Sequence, residues 1–556
     1  MQSTAWHRRA PAPPPLLPFP QNVLFRYVKG EWVTVKEGIE WEIYNDLEDD
    51  DGFKWILTIG SEVEEEVLDE LKLQYDTPGQ RVTFLSPEQG IYTYFVASRA
   101  EYDRLGDQFD RALFENREGV AYSEDAVRKQ MKGFEEWHAG RDDVDEFMSD
   151  YGEDPDAEGG GLMDVDEPTT CGRAAEDEFS FMNIGAGQNS FAVRGSHIDV
   201  FRNAHGGMTD AGVSVNVTPS RGGFFTPSKT LLTNQESKML LLSPLSGNAP
   251  GLSTPPAAGM RTLYDMDLER ESVVREYAFK KDDVEIPISD IVHDDKASGL
   301  TQAPTFLALD SNRICRFDTR TAEGVVADLT YDGGKDYARG TNFTCIATAG
   351  AGQVVTGSRD GRLRMYRGKD NLSRASTNLP SYGSPITAVD VTYDGKWVLA
   401  TTDSFLMLVK TSFRDDKGNG VTGFTKSMNG GNSCAPRMLR LRGDDMGKVG
   451  PMARFSGGRF TWVTEQGTKE RWIVARVGSH TIMWNMQRIV REEAKAEARG
   501  RGGMRVAGLN SYVLERSEED VVDAHFVHDK WRHRNGDEAV VVLTRHNLFA
   551  GCDDDE

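Results

Sequence analysis

Between residues 343 and 409 the pattern of apolar and polar positions occurs twice. Each copy reads as an apolar strand, a turn containing Gly, a second strand, another turn and a third strand. The first copy is FTCIATA, GAG, QVVTGSRDG and RLRMY; the second is ITAVDVTY, DG, KWVLATTDS and FLMLV. Shifting the numbering by 43 places Thr344 on Thr387, Gly352 on Gly395, Val355 on Val398, Gly357 on Ala400, Asp360 on Asp403 and Leu363 on Leu406. A period of about forty residues with several short strands in each unit predicts the blades of a β-propeller. One small antiparallel sheet has a face that it can bury only against a neighbouring copy, and a ring of copies leaves only short edges.

One strand type can be followed through the rest of the chain, because each time a turn precedes an apolar or aromatic pair. It occurs as GSHIDVF (195–201), TLYDMDL (262–268), NRICRF (312–317), DGRLRMY (360–366), DSFLMLV (403–409), GSHTIMW (478–484) and RHNLFAG (545–551). This recurrence predicts a propeller of roughly seven blades.

The first hundred residues follow another rhythm. Residues 22–97 contain the strand patterns VLFRYV, GEWVTV, IEWEIYN, FKWILTI, LKLQY, RVTFLS and IYTYFVA, while SEVEEEVLDELKL (61–73) fits either a strand or a helical turn. The period then changes. Tyr102, Leu105, Phe109, Ala112 and Leu113 recur at steps of three and four and share one face of a helix predicted from about Arg99 to Asn116. Ser98 and Glu101 have the spacing of a capping box at its start. Several strands closed by one amphipathic helix predict a pleckstrin-homology-like sandwich. The expected fold is therefore mainly β: a Pro-rich tail (1–21), this small domain (22–118), an acidic linker (119–188) and a propeller (189–552).

The repeat also carries a family resemblance. TGSRDGRLRMY followed by NLPSYGSPITAVDVTYDGKWVLATTDSFLML resembles the C-terminal WD-repeat-like propeller of the vacuolar import and degradation protein 27 family, particularly its plant-type "cytoplasmic protein" members. LALDSNRICRFDTR (307–320), ARGTNFTCIATAG (338–350) and APRMLRL (435–441) agree with it. The resemblance spans about residue 180 to the end, and the N-terminal part more loosely. A polar insert at 491–507 and the Pro-rich start depart from it. It implies a propeller and a link to vacuolar import or protein degradation, and it brings no demonstrated activity.

Charge narrows the partners. There are 88 acidic and 64 basic residues, a formal net charge of −24, which argues against nucleic acid as a partner because a polyanion requires a concentrated basic face. Residues 22–98 hold 17 Asp or Glu against 6 Lys or Arg, so lipid-headgroup binding by the small domain is disfavoured and contact with other proteins favoured. Residues 141–167 carry twelve acidic residues and one basic, the composition of a solvated spacer. The five cysteines (Cys171, Cys315, Cys345, Cys434, Cys552) show no paired spacing, as expected of a reducing compartment. Neither a transmembrane helix nor a secretory signal is predicted, so the expected location is the cytoplasm, with the nucleus open.

Candidate chemistry is sparse. Gly350, Gly352 and Gly357 lack dinucleotide-loop spacing, and GSRDG (357–361) is no nucleophile elbow. His525 and His528, with Asp523 and Asp529 nearby, could suggest a metal site, but residues three apart on a strand point to opposite faces, which disfavours shared ligation. No catalytic residue, cofactor or metal site is predicted, and the chain is read as a non-catalytic scaffold or adaptor. Arg359, Asp360, Arg362 and Arg364 are the candidate partner-binding rim. Thr218, Thr226, Ser243 and Thr254, each directly before Pro, are candidate phosphorylation sites. Residues 485–505 predict a charged helix with a basic Gly-rich tip, read as a solvated loop. Two alternatives stand beside the scaffold. One is a hydrolase or lyase at the propeller's channel mouth, which requires converging His, Asp, Glu or Arg. The other is a phosphoinositide-binding adaptor.

Overall fold

The computed structural model describes residues 20–123, 177–490 and 512–550, apart from 245–260, 329–340 and shorter breaks. The Pro-rich tail, most of the acidic linker and residues 491–511 lie outside the described residues. Two compact units form. One comprises the described residues of Met1–Gly152 with Arg440–Ala453, and the other those of Glu153–Leu439, Arg454–Gly502 and Ser511–Glu556.

The smaller unit has eight strands: β1 (Val23–Val28), β2 (Glu31–Glu37), β3 (Trp41–Asn45), β4 (Trp55–Ile59), β5 (Val63–Glu66), β6 (Gln74–Asp76), β7 (Arg81–Ser86) and β8 (Gly90–Phe95). They form a five-stranded sheet, β2-β1-β8-β7-β6, and a three-stranded sheet, β3-β4-β5. Both are antiparallel, and helix α1 (Arg99–Glu118) closes them, so the pleckstrin-homology-like plan is met. The ambiguous stretch 61–73 splits into strand β5 and a short 3₁₀ turn at Asp69–Leu71.

The predicted helix face, Tyr102, Leu105, Phe109, Ala112 and Leu113, is buried against Leu24, Leu57, Val82 and Tyr94. Burying such side chains stabilises by about 2 kcal/mol each. The helix start departs from expectation. Ser98 makes no capping bond through its side chain, and Glu101 turns to Asn22, whose Oδ1 in turn accepts from Ala97 N at 2.9 Å. Asn22, just before β1, thus ties the residue ahead of the helix and a first-turn carboxylate to the sheet. At the other end Gly119 adopts φ 65°, and Asn116 and Glu115 bind the backbone and indole of Trp55. The short helix Gly443–Val449 belongs to this unit, where a Cβ on Gly447 would meet the Tyr27 ring.

The larger unit contains seven successive antiparallel sheets, ordered from inner to outer strand. The inner strands are Phe179–Asn183, Lys229–Thr233, Asp290–His293, Phe343–Thr348, Ala388–Val391, Phe455–Phe460 and Val521–Phe526. Each lies beside the next, and the seventh beside the first, so the ring closes. Among the described residues six blades have four strands and the seventh has three. All seven predicted strand motifs fall on the third strand of a blade. The first blade opens at Phe179, within the stretch read from sequence as linker.

The cores lie between the blades, as the stacking argument requires. Leu240, Leu263 and Tyr277 of blade 2 meet Ile291, Phe306 and Phe317 of blade 3, while Phe179 and Phe201 of blade 1 meet Val541 and Leu543 of blade 7. Gly352 and Gly395, aligned by the repeat, occupy the same turn with φ 74° and 69°, a conformation that costs a side chain about 1 kcal/mol or more. Closure between blades 7 and 1 uses hydrogen bonds from Phe179 N to Arg545 O (2.8 Å) and from the Trp531 indole to Gly187 O (2.8 Å).

Candidate functional site

The predicted rim set divides. Arg359, Asp360 and Arg362 lie exposed in the turn between the second and third strands of blade 4. Asp360 Oδ1 accepts from Arg362 N at 3.1 Å, and its carboxylate lies 3.5 Å from the Arg362 guanidinium. Arg364, in contrast to the expectation, is not on the rim. Its strand is interior to the sheet, between Thr356 and Asn378, and the side chain runs into the seam. There it is 7% exposed, donates to Ser358 Oγ at 2.6 Å and lies 5.5 Å above the Phe343 ring.

The phosphorylation candidates divide likewise. Thr218 and Thr226 are exposed. Ser243 is fully buried; its hydroxyl accepts from Thr262 N at 2.8 Å, so no kinase can reach it in the folded blade. Thr254 lies outside the described residues.

Charged side chains gather where the sequence reading did not place them, at the inner strands nearest the ring's axis. Two groups bridge blades: Lys229 with Asp290 joins blades 2 and 3, where Arg261 also faces Asp290, and Lys296 with Asp390, 2.9 Å apart, joins blades 3 and 5, where Glu470 also faces Lys296. The third group lies between blades 6 and 7. Inner strand Phe455–Phe460 is bulged between Ser456 and Arg459, at Gly457 and Gly458. The bulge directs Arg459 towards blade 7, as bulges do when they re-aim a side chain. Arg459 Nη2 lies 3.4 Å from Asp523 Oδ1, its Nη1 lies 2.8 Å from His525 Nδ1, and His525 Nε2 lies 3.1 Å from Asp523 Oδ2. Arg476, from the next strand of blade 6, donates to Val521 O at 3.3 Å.

Asp523 also accepts from Met182 N and Ala524 N, so its two oxygens hold four donors and tie blade 7 to blade 1. Burial by itself would raise this carboxyl, but Arg459, His525 and Arg476 outweigh burial and hold it far below the usual carboxylate range. Burial, reinforced by Arg459, keeps the His525 imidazole below its ordinary value. A neutral ring can donate from Nε2 to Asp523, while Arg459 Nη1 lies against both ring nitrogens.

The sequence signals for this group were the SGGR bulge in an apolar strand pattern and the polar Asp and His within VVDAHF. Their convergence across some sixty residues could not be read. His525 and His528 take separate partners: His528 Nε2 meets Thr464 Oγ1 at 2.8 Å and its Nδ1 meets Asp529 at 3.0 Å. Among the described residues no three His, Cys, Asp or Glu are arranged to hold a metal ion. The described cysteines, Cys315 and Cys345, are buried free thiols, and burial pushes the Cys345 thiol up to about 12. Among the described residues no helix is long and apolar enough to cross a membrane.

Comparison with known proteins places these features in a family. Residues 178–548 match the VID27 C-terminal WD40-like domain, and residues 23–132 match a domain of unknown function, DUF7135. The chain is 29% identical over 335 residues to vacuolar import and degradation protein 27 of Schizosaccharomyces pombe, covering 59% of this chain and 39% of that protein. It is 26% identical over 346 residues to the protein of the same name from Saccharomyces cerevisiae, covering 61% of this chain and 39% of the relative. The match thus spans well under half the length of these relatives. With two thirds of its length matched by the propeller domain that defines the group, the chain belongs to the VID27 family.

Proposed function

We propose that this protein is a non-catalytic interaction scaffold of the cytoplasm, in which the propeller supplies a rigid ring and the small domain a second contact surface. The observation that carries this reading is how the polar groups of the ring are spent. Asp523, on the inner strand of blade 7, has both oxygens occupied, by Met182 N, Ala524 N and His525 and by the Arg459 ion pair. The charged residues left at the surface of blade 4, Arg359, Asp360 and Arg362, lie on a turn, where loops held by a rigid scaffold commonly make partner contacts. The partner is a protein, and the names of the relatives suggest vacuolar import or protein degradation as its setting.

The test is affinity purification of the tagged chain from its own cells beside R359E/R362E, with bound proteins identified by mass spectrometry. Proteins retained by the natural chain and lost from the variant are the expected outcome. An identical set on both, or none on either at physiological salt, overturns the blade 4 turn as the contact. The domain plan is tested by limited proteolysis, with first cleavage expected between residues 119 and 177 and the propeller surviving as a fragment.

A further inference from the structure

One exposed threonine stands on the same face of the chain as a serine that is already held by an arginine. The chain passes from the outer strand of blade 1, Gly207–Asn216, to the inner strand of blade 2, Lys229–Thr233, and residues 224–228 are the last part of that passage. Their burial alternates: Phe224, Thr226 and Ser228 are exposed, whereas Phe225 and Pro227 are buried. A period of two is that of extended chain, so Thr226 and Ser228 share a face about 7 Å apart. Pro227 also holds Thr226 in the extended region. Both flanks are pinned. The Phe225 ring lies 4.8 Å from that of Tyr264 in the seam between blades 1 and 2, and Ser228 N donates to Leu242 O at 2.9 Å.

The arginine is Arg261, directly before the third strand of blade 2, Thr262–Asp267. Its Nη1 donates to Ser228 Oγ at 3.0 Å and to Ser289 O at 3.5 Å. Its Nε is buried and makes no hydrogen bond among the described residues. Lys229, next after Ser228, is a second cation, and Asp290 pairs with Lys229 while also facing Arg261. An acceptor placed on the Thr226 side of Ser228 would therefore find a guanidinium with a donor still to fill.

We infer that Thr226 is a phosphorylation site for a proline-directed kinase and that Arg261 receives the phosphate. The kinase supplies ATP as the second substrate. Thr226 Oγ1 forms a bond to the γ-phosphorus, the bond from that phosphorus to the bridging oxygen breaks and leaves with ADP, and the hydroxyl proton passes to the kinase's base. The product carries close to two negative charges and three strong acceptor oxygens. A guanidinium fork matches such a group in shape and charge. Among the proline-directed candidates this one combines presentation with a receptor, since Ser243 is buried with its hydroxyl bound to Thr262 N. The modification would fix added charge on one face of the ring, at the junction of blades 1 and 2. It stands independently of the blade 4 turn.

The experiment treats the folded full chain carrying T218A with ATP and a cyclin-dependent kinase, an enzyme that requires proline after the hydroxyl. Peptide mass spectrometry should find stoichiometric phosphate on Thr226. The ³¹P resonance that is missing from T218A/T226A is then titrated with pH. An unconstrained phosphothreonine takes up its second proton near pH ~6. Beside Arg261 the midpoint should lie about one pH unit below that of a phosphorylated peptide of residues 219–233, because a neighbouring cation favours the dianion. In R261Q the difference should largely disappear, with thermal midpoints recorded to confirm that each variant is folded. A folded chain left unmodified at Thr226 overturns the site. A phosphothreonine that titrates as it does in the peptide, or equally with and without R261Q, overturns Arg261 as its receptor; the peptide comparison holds even if R261Q does not fold.

Discussion

The seam between blades 2 and 3 and the seam between blades 6 and 7 solve one packing problem with different chemistry. In the first, leucines 231, 240, 242 and 263 close on Phe306 and Phe317, whose rings stack 5.3 Å apart. In the second, Val474, Met483, Val521 and Phe526 form a smaller apolar part, and the axial end is given to Arg459, Arg476, Asp523 and His525. An apolar seam needs only volume and pattern to form. An ionic one also needs every partner in place, since the cost of an uncompensated charge exceeds what the pair gains over water. The difference teaches that the stacking of blades is carried by apolar faces, while position-specific polar chemistry is confined to the inner strands and to closure.

Breaking each seam in turn sharpens the contrast. Phe317→Ala in the apolar seam should have the largest effect, about 4 kcal/mol lost in a urea unfolding series, from lost transfer energy and the cavity left behind. Asp523→Asn keeps the shape but leaves two guanidiniums facing an amide, and about 3 kcal/mol of stability should go with it. An Asp523→Asn protein as stable as the natural one would show that the ionic end carries no part of closure.

Each seam also holds one histidine below its ordinary value: His525 through burial and Arg459, and His293 through burial against the opposing pull of Asp295 and Asp294, down to about 4. The unfolded chain takes up a proton near pH 6.5, whereas His293 in the fold does not until about pH 4. Stability should therefore fall as pH drops through this window, by about 2 kcal/mol once the partial exposure of the ring is allowed for. Comparing unfolding midpoints at pH 7 and pH 4.5 for the natural chain and His293→Gln isolates this share; an unchanged pH slope in the variant removes it. The Asp523 carboxylate behaves differently. Its contribution is fully present above its ordinary value near 4 and is lost only at much lower pH. Gly395→Ala touches neither seam and should cost only about 1 kcal/mol, because Gln353 leaves room for the methyl and the remaining penalty is the left-handed backbone.

Much of this molecule was legible before any coordinates. The repeat of 343–409, the recurring third strand and the α1 face Tyr102, Leu105, Phe109, Ala112 and Leu113 all rest on periodicity, which a strand or helix imposes on its own residues. The failures were of another kind. Ser98 and Glu101 had the spacing of a capping box, yet Glu101 bonds Asn22, which comes from elsewhere in the fold. Arg364 looked like its neighbours Arg359 and Arg362, but its register puts it inside the sheet. Ser243 carried the right neighbour for a kinase and lies where no kinase can reach.

The sequence by itself determined the recurring strands, their alternation and the need for like copies to stack, because a face of regular spacing has to be buried and a like copy is what can bury it. Tertiary structure alone decided which charges meet. Arg459, Arg476 and Asp523 come together because the ring sets the sixth blade against the seventh, and Met182 completes their network because the seventh closes on the first. Pairings across that distance depend on closure, and no local periodicity encodes them.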